Sequence, residues 1–170
     1  MIKIKVDADD PIARIEAVRR AAPAARLIVD PNESWTIDIL RKVQPTLERL
    51  SVDLLEQPLP ADADDALRDL SSPIPICADE ACHTTSDLPS LRDRYQAINI
   101  KLDKTGGLSE AWRLLCAAKA EGFQVMVGCM VCSSLGIAPA LEIAREADFI
   151  DLDGPLWLED DYPDGVTLQR

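Results

Sequence analysis

No apolar run in the sequence approaches the roughly 20 residues that a membrane-spanning helix needs, and the opening MIKIKVDADDP holds no signal-peptide core. Basic charge is scarce: 18 Lys and Arg stand against 30 Asp and Glu, for a net charge of -12. That balance excludes an electrostatic grip on nucleic acid or on an anionic membrane. A cytoplasmic protein with no nucleic-acid or membrane partner is expected. A disulfide framework is missing too. The five cysteines, Cys77, Cys82, Cys116, Cys129 and Cys132, lack its spacing, and a chain of 170 residues with 47% apolar content is large enough to fold around its own core. Cys129 and Cys132 form a C-x-x-C, but there is no second pair for zinc, and it does not open a helix after a thioredoxin-like strand. The sole histidine, His83, falls in a loop and is read as a surface or supporting residue. Neither a G-x-G-x-x-G nor a P-loop follows any apolar run, and no linker or low-complexity tract divides the chain.

What is present is a regular alternation. Short β-branched or apolar runs at 2–6, 26–30, 52–56, 75–79, 97–101, 123–128 and 149–153 predict seven strands. Segments of helical period at 10–22, 35–49, 62–71, 86–94, 107–121 and 134–146 predict the helices between them. In the segment at 107–121, Leu108, Trp112, Leu115, Cys116 and Lys119 recur at three and four, and Gly122 provides a stop. From one strand end to the next, Lys5 to Asp30 is 25 residues, Asp30 to Glu56 is 26, Glu56 to Asp79 is 23 and Asp79 to Lys101 is 22. Each step is one βα unit. Units in series either spread into a doubly wound sheet or close into a (β/α)₈ barrel, and charged residues at successive strand ends favour the barrel, whose strand ends converge on one mouth. Residues 1–170 are read as a single α/β domain of this kind.

Asp30, Glu56 and Asp79 end three successive strands. Read singly, each is an ordinary strand-end acid or helix cap. Together, on strands about 4.8 Å apart, they form a set of hard oxygen donors suited to Mg²⁺, and a dication offsets the desolvation cost of a buried carboxylate. Lys3 and Lys5 alternate with Ile2, Ile4 and Val6, so both lysines share a face. A second cation beside Lys5 favours its neutral amine, which is a base. Lys101 ends a strand three units on, and two lysines flanking a metal-bound substrate suggest proton removal on one face of a carbon and redelivery on the other.

The motifs KIKV, VDPNESW, LLEQPLP, ICADE and NIKLDKTGG resemble, in order, K-x-K, D-x-N, E-Q-P, A-D-E and I-K-x-D-K-x-G-G of the muconate-lactonizing branch of the enolase superfamily. Within that branch, GCMVCSSLGIAP and DLDGPLWL are similar to the dipeptide epimerases that include L-Ala-D/L-Glu epimerase. The resemblance implies Asp30, Glu56 and Asp79 as Mg²⁺ ligands and Lys5 and Lys101 as the acid/base pair, with Lys3 as their electrostatic helper. It implies 1,1-proton transfer at a dipeptide's α-carbon through an enediolate stabilised by Mg²⁺, as in that superfamily generally. Asp151 and Asp153 match the D-x-D that holds the substrate's α-ammonium group, and alternation along a strand puts both on one face. Cycloisomerases and o-succinylbenzoate synthases of the same branch share the metal and the lysines but not the ammonium.

Two departures qualify the expectation. Cys132 stands where the pattern carries a glutamate, which alters the substrate-binding side of the site. The chain opens at K-x-K, where family members carry an N-terminal capping domain and a first barrel strand beforehand. A whole barrel takes about 250 residues, so the sequence is expected to be an incomplete TIM-type barrel, strands 2 to 8, truncated at its N-terminus and without the capping domain. On this expectation the isolated chain is an inactive, self-associating fragment with open sheet edges, or a non-catalytic remnant, of a homo-oligomeric parent enzyme.

Overall fold

The computed structural model describes residues 1–167. Along the chain run β1 (Ile2–Lys5), α1 (Pro11–Ala21), β2 (Leu27–Asp30), α2 (Ile37–Arg49), β3 (Leu54–Glu56), β4 (Ile76–Ala78), α3 (Leu88–Leu91), β5 (Ala97–Ile100), α4 (Leu102–Thr105), α5 (Leu108–Ala120), β6 (Gln124–Gly128), α6 (Ser134–Ala144) and β7 (Phe149–Asp151). The contacts group into two compact units. The first holds Met1–Ala81 with Ser90–Gln96; the second holds Cys82–Pro89 and the chain from Ala97 onward. No helix among the described residues is long and apolar enough to cross a membrane.

In the first unit, β1 pairs with β2, β2 with β3 and β3 with β4, all parallel, with Lys5 opposite Asp30 and Leu55 opposite Ile76. A parallel strand covered on both faces reads as a continuous apolar run. LIVD, LLE and ICA are accordingly buried throughout, the acids that end the first two included. The helices follow their start signals: Asp10 caps α1 with Pro11 at its first position, and Thr36 caps α2, whose Leu40, Val43 and Leu47 fall on one buried face. Arg19 joins the ends of these helices. Its guanidinium donates to the carbonyls of Ala22, Pro23, Ala25, Leu50 and Ser51 at 2.7–3.3 Å.

In the second unit, β5 pairs with β6 and β6 with β7, again parallel. The ammonium of Lys104 on α4 donates to the carbonyls of Cys82 and Asn99, each at 2.9 Å. The packed face of α5 differs from the one that the large residues suggest. Ala111, Leu114, Leu115 and Ala118 are buried, whereas Leu108 and Trp112 are 40% and 46% exposed. Two alanines share this contact with Leu114 and Leu115, and a pattern read from bulky residues alone misses them.

Other expectations shift as well. The segment at 62–71 is not an α-helix but a 3₁₀ turn, Asp65–Asp69. Asp64 turns its carboxylate inward to Tyr95 and Arg94 and makes no cap. At 86–94 the chain makes a 3₁₀ turn, Thr85–Asp87, and then only one turn of α3, which contains Pro89. The unexpected α4 follows Lys101 and ends at Gly106, whose positive φ of 73° makes the stop.

Replacing Arg19 with Ala removes the one charged group shared by five carbonyls, and should lower stability by about 2–3 kcal/mol. Arg19→Lys should recover only part, because an ammonium lacks the fork that reaches all five. Urea unfolding of the two variants checks this; an Arg19→Ala midpoint equal to that of the parent would refute it.

Candidate active site

The acids of the first unit stand where its strands run out. Asp30 and Glu56 are the last residues of β2 and β3, and Asp79 lies one residue past β4. All three are buried, at 0%, 0% and 1% exposure. β1 brings the lysines to them. The Lys3 ammonium lies 3.0 Å from Asp30 Oδ2 and 2.9 Å from Glu56 Oε2, and the Lys5 ammonium donates to Asp30 Oδ2 at 2.5 Å and to Asn32 Oδ1 at 2.6 Å. The two lysines expected to share a face thus meet on one carboxylate, Asp30.

The loop after β2 completes this cluster. Asn32 and Glu33 both have positive φ, 45° and 64°, which turns the chain back so that the Asn32 N–H donates to Asp30 Oδ1 at 2.9 Å. The Asn32 amide also donates to Glu80 Oε1 at 3.3 Å, while Glu80 Oε2 is buried without a hydrogen-bond partner. Asn32 and Glu80 close the D-x-N and A-D-E motifs, but the sequence reading gave neither a role.

Negative charge dominates here. Glu56 is raised from an ordinary 4.5 to about 7 as the net of burial, which raises it most, the Lys3 ammonium, which lowers it, and the charges of Asp30 and Asp79, which raise it. Glu80 is also raised, by burial first and then by Asp79. Among the described residues, no three His, Cys, Asp or Glu side chains are grouped closely enough to hold an ion as they stand. The Lys3 ammonium lies between Asp30 and Glu56. The donor set still fits a hard dication: buried carboxylate oxygens, with no sulfur or imidazole among them.

The second unit holds the remaining candidates. Lys101 follows β5 directly and is 8% exposed. Asp151 ends β7, but Asp153 lies beyond the strand, exposed, at the start of a 3₁₀ turn, Gly154–Trp157. The shared strand face expected for the two acids is therefore not formed; β7 stops two residues earlier than expected. Asp153 Oδ2 instead accepts from Trp157 Nε1 at 3.1 Å. Cys129 and Cys132 line a cavity of about 370 Å³ together with Asp103, Gly128 and Gly136. Burial pushes the Cys129 thiol up to about 11 and raises that of Cys132, so both stay protonated at neutral pH and are poor nucleophiles or metal ligands. His83 is exposed in its loop.

Residues 1–163 match the family described as enolase C-terminal domain-like. Among curated proteins, the chain is 50% identical over 156 residues to an N-acetyl-D-glutamate racemase of Pseudoalteromonas sp, covering 92% of this chain and 50% of that protein. It is 50% identical over 158 residues to the L-Ala-D/L-Glu epimerase of Escherichia coli K12, covering 93% and 49%. Among solved structures, it is similar to an enolase family member from Agrobacterium tumefaciens with homology to dipeptide epimerases, bound to sodium and L-Ala-L-Glu. The TM-score there is 0.95 at 51% identity, over 98% of this chain and 51% of that one. A dipeptide epimerase from Methylococcus capsulatus, in complex with Mg and L-Arg-D-Lys, superposes with a TM-score of 0.88 at 34% identity, over 94% and 48%. The chain thus spans about half the length of the curated relatives it matches. Likeness at this level fixes the fold class as the expected one, the α/β class of the (β/α)₈ barrel, of which this chain supplies seven strands.

The buried glutamate yields a pH signature. With no metal bound, folded Glu56 keeps its proton up to about pH 7, whereas the unfolded chain loses it near 4.5. Its contribution to stability is present below 4.5 and is lost as pH rises through 7. Mg²⁺ favours the ionised form and should reverse that slope. Thermal unfolding across this range in EDTA and in Mg²⁺ tests it: Glu56→Gln should flatten the EDTA profile, and an EDTA slope unchanged in that variant would count against the assignment.

Proposed function

The chain belongs to the enolase C-terminal domain-like family, and from that premise we propose that it carries the proton-transfer centre of a Mg²⁺-dependent dipeptide epimerase. The observation that carries this reading is the cluster of Lys3 and Lys5 on the buried carboxylates Asp30 and Glu56, with the charge of Asp79 acting on Glu56. Asp30, Glu56 and Asp79 would hold the ion. Bound there, Mg²⁺ supplies the positive charge that makes the proton α to a carboxylate acidic. The chain's own groups do the rest. Lys5 and Lys101 are the acid/base pair: one, as the amine, accepts the α-proton, and the other, as the ammonium, returns a proton to the opposite face of that carbon. Lys3 is the electrostatic helper, its ammonium favouring the ionised form of Glu56 against the effect of burial. Asp151 and Asp153 supply negative charge for the dipeptide's α-ammonium group, with Cys132 as a neutral contact on the substrate side.

A second reading rests on the relative named for N-acetyl-D-glutamate, at the same 50% identity. An N-acetyl amino acid offers the same α-proton and carboxylate, but an amide replaces the ammonium. Asp151 and Asp153 are what separate the two substrates, because their charge favours a cation and gains nothing from an amide.

For the protein carrying this chain at its natural length, L-Ala-L-Glu incubated with Mg²⁺ in D₂O should gain deuterium at the glutamyl α-carbon and give both epimers. Lys5→Ala and Lys101→Ala should each reduce epimerisation by about 10²–10⁴-fold. Asp153→Asn should raise KM for the dipeptide and leave turnover of N-acetyl-glutamate unchanged. Absence of exchange from either substrate would sink the epimerase reading, and an Asp153→Asn variant that handles the dipeptide normally would favour the N-acetyl substrate.

A further inference from the structure

Gln57 directly follows Glu56, is fully buried, and has a φ of 30°, a value that a glutamine holds only where its surroundings impose it. Every polar group it owns is used. Its backbone N–H donates to Cys77 O at 2.8 Å and its carbonyl accepts from the Glu33 N–H at 2.8 Å. Its side-chain oxygen accepts from the backbone N–H of Asp79 at 2.9 Å and of Ala81 at 3.1 Å. Its side-chain nitrogen donates to Leu59 O and to the Tyr95 hydroxyl, both at 2.9 Å.

These bonds fix which way the carboxamide faces. Two N–H donors on one side require oxygen; a carbonyl on the other requires nitrogen. The Tyr95 hydroxyl is in turn oriented, since it donates to the buried Asp64 and so presents its lone pair to Gln57. Burial and the Asp64 charge raise the phenol well above its usual range, so that proton stays. Asp64 is held by Arg94, whose guanidinium is anchored on Ser90 O at 2.8 Å and 3.2 Å.

The effect falls on Asp79. β3 ends at Glu56 and β4 at Ala78, so no strand carbonyl remains to receive the next N–H groups. The Gln57 carboxamide substitutes for one, adding two rungs beyond the end of the ladder, at Asp79 and at Ala81. We infer that Gln57, locked by the Arg94–Asp64–Tyr95 chain, is a positioning residue that holds Asp79, and with it Glu80, at the metal-binding end of the first unit. The inference rests on the metal reading proposed above. The side-chain partners of Gln57 are backbone groups and the Tyr95 hydroxyl, not the carboxylates. The residue acts through the backbone of a ligand, where supporting contacts are typically worth about 10–100-fold in metal affinity.

The test is Mn²⁺ titration of the protein carrying this chain at its natural length, followed by electron paramagnetic resonance, with Mg²⁺ competition. Gln57→Leu should weaken binding about 10–100-fold and broaden the bound Mn²⁺ spectrum as the ligand loses its fixed position. Tyr95→Phe, which leaves Gln57 in place but frees its amide, should weaken binding about threefold or more, a fraction of that range. A purely structural role would lower the unfolding temperature and leave both dissociation constants at the parent value, and that result overturns the inference. If Gln57→Leu does not fold, Tyr95→Phe decides alone: an unchanged dissociation constant there overturns the inference. Failure of the parent protein to bind Mn²⁺ would instead defeat the metal reading on which the inference stands.

Discussion

A carboxylate taken out of water must be met by positive charge or by several hydrogen bonds, and the first unit places three of them at its strand ends at once. Asp30, Glu56 and Asp79 have almost no exposed surface. The Lys3 ammonium reaches Asp30 and Glu56 together, which ties the register of β1 against β2 to the charge balance of the site. With Lys3 opposite Ile28 and Lys5 opposite Asp30, both amines arrive at the carboxylate layer. A slip of one residue would send both to the other face and leave the acids buried without compensation.

Around these charges the backbone is held by loops stitched to each other. The Glu33 N–H donates to Gln57 O at 2.8 Å and the Trp35 N–H to Pro58 O at 3.0 Å. Glu33 Oε1 accepts from the Ala61 N–H at 2.7 Å, and the Trp35 indole reaches Asp7 O at 2.9 Å. The loops after β1, β2 and β3 are therefore one connected layer. In the loops after β2 and β3, Asn32, Glu33 and Gln57 have positive φ without being glycine. Such strain is kept where neighbours over-determine the conformation, and here it sits directly behind the acids.

The sequence made the elements and the charged strand ends legible because both follow from local rules. Buried parallel strands must be short apolar runs, so LIVD, LLE and ICA stand out, and the repeat of 22 to 26 residues between their ends marks the βα unit. Where the physics is not local, the reading failed. The helix expected at 62–71 gave way because Asp64 is drawn to Tyr95, 31 residues away. The buried face of α5 pairs Leu114 and Leu115 with two alanines, Ala111 and Ala118, which give only a weak hydrophobic signal. Gln57 was visible only as the middle letter of LLEQPLP; its four side-chain bonds run to residues from 2 to 38 positions away, and no spacing rule joins those. Asp153 failed differently, since alternation holds only inside a strand and β7 ends at Asp151.

Lys3 and Lys5 show how one residue type, two positions apart, takes two roles. Both point to the same face of β1, and both contact Asp30 Oδ2. Their side chains differ in access to water, 12% exposed for Lys3 and 59% for Lys5. An ammonium enclosed by two carboxylates ties them together, and its loss would remove a contact from Asp30 and Glu56 at once. Lys5 has one carboxylate, one amide oxygen and open surface, so water screens its pairing with Asp30. The position farther from the strand end is thus the one that joins Asp30 to Glu56, and the one nearer the end is the one that reaches solvent.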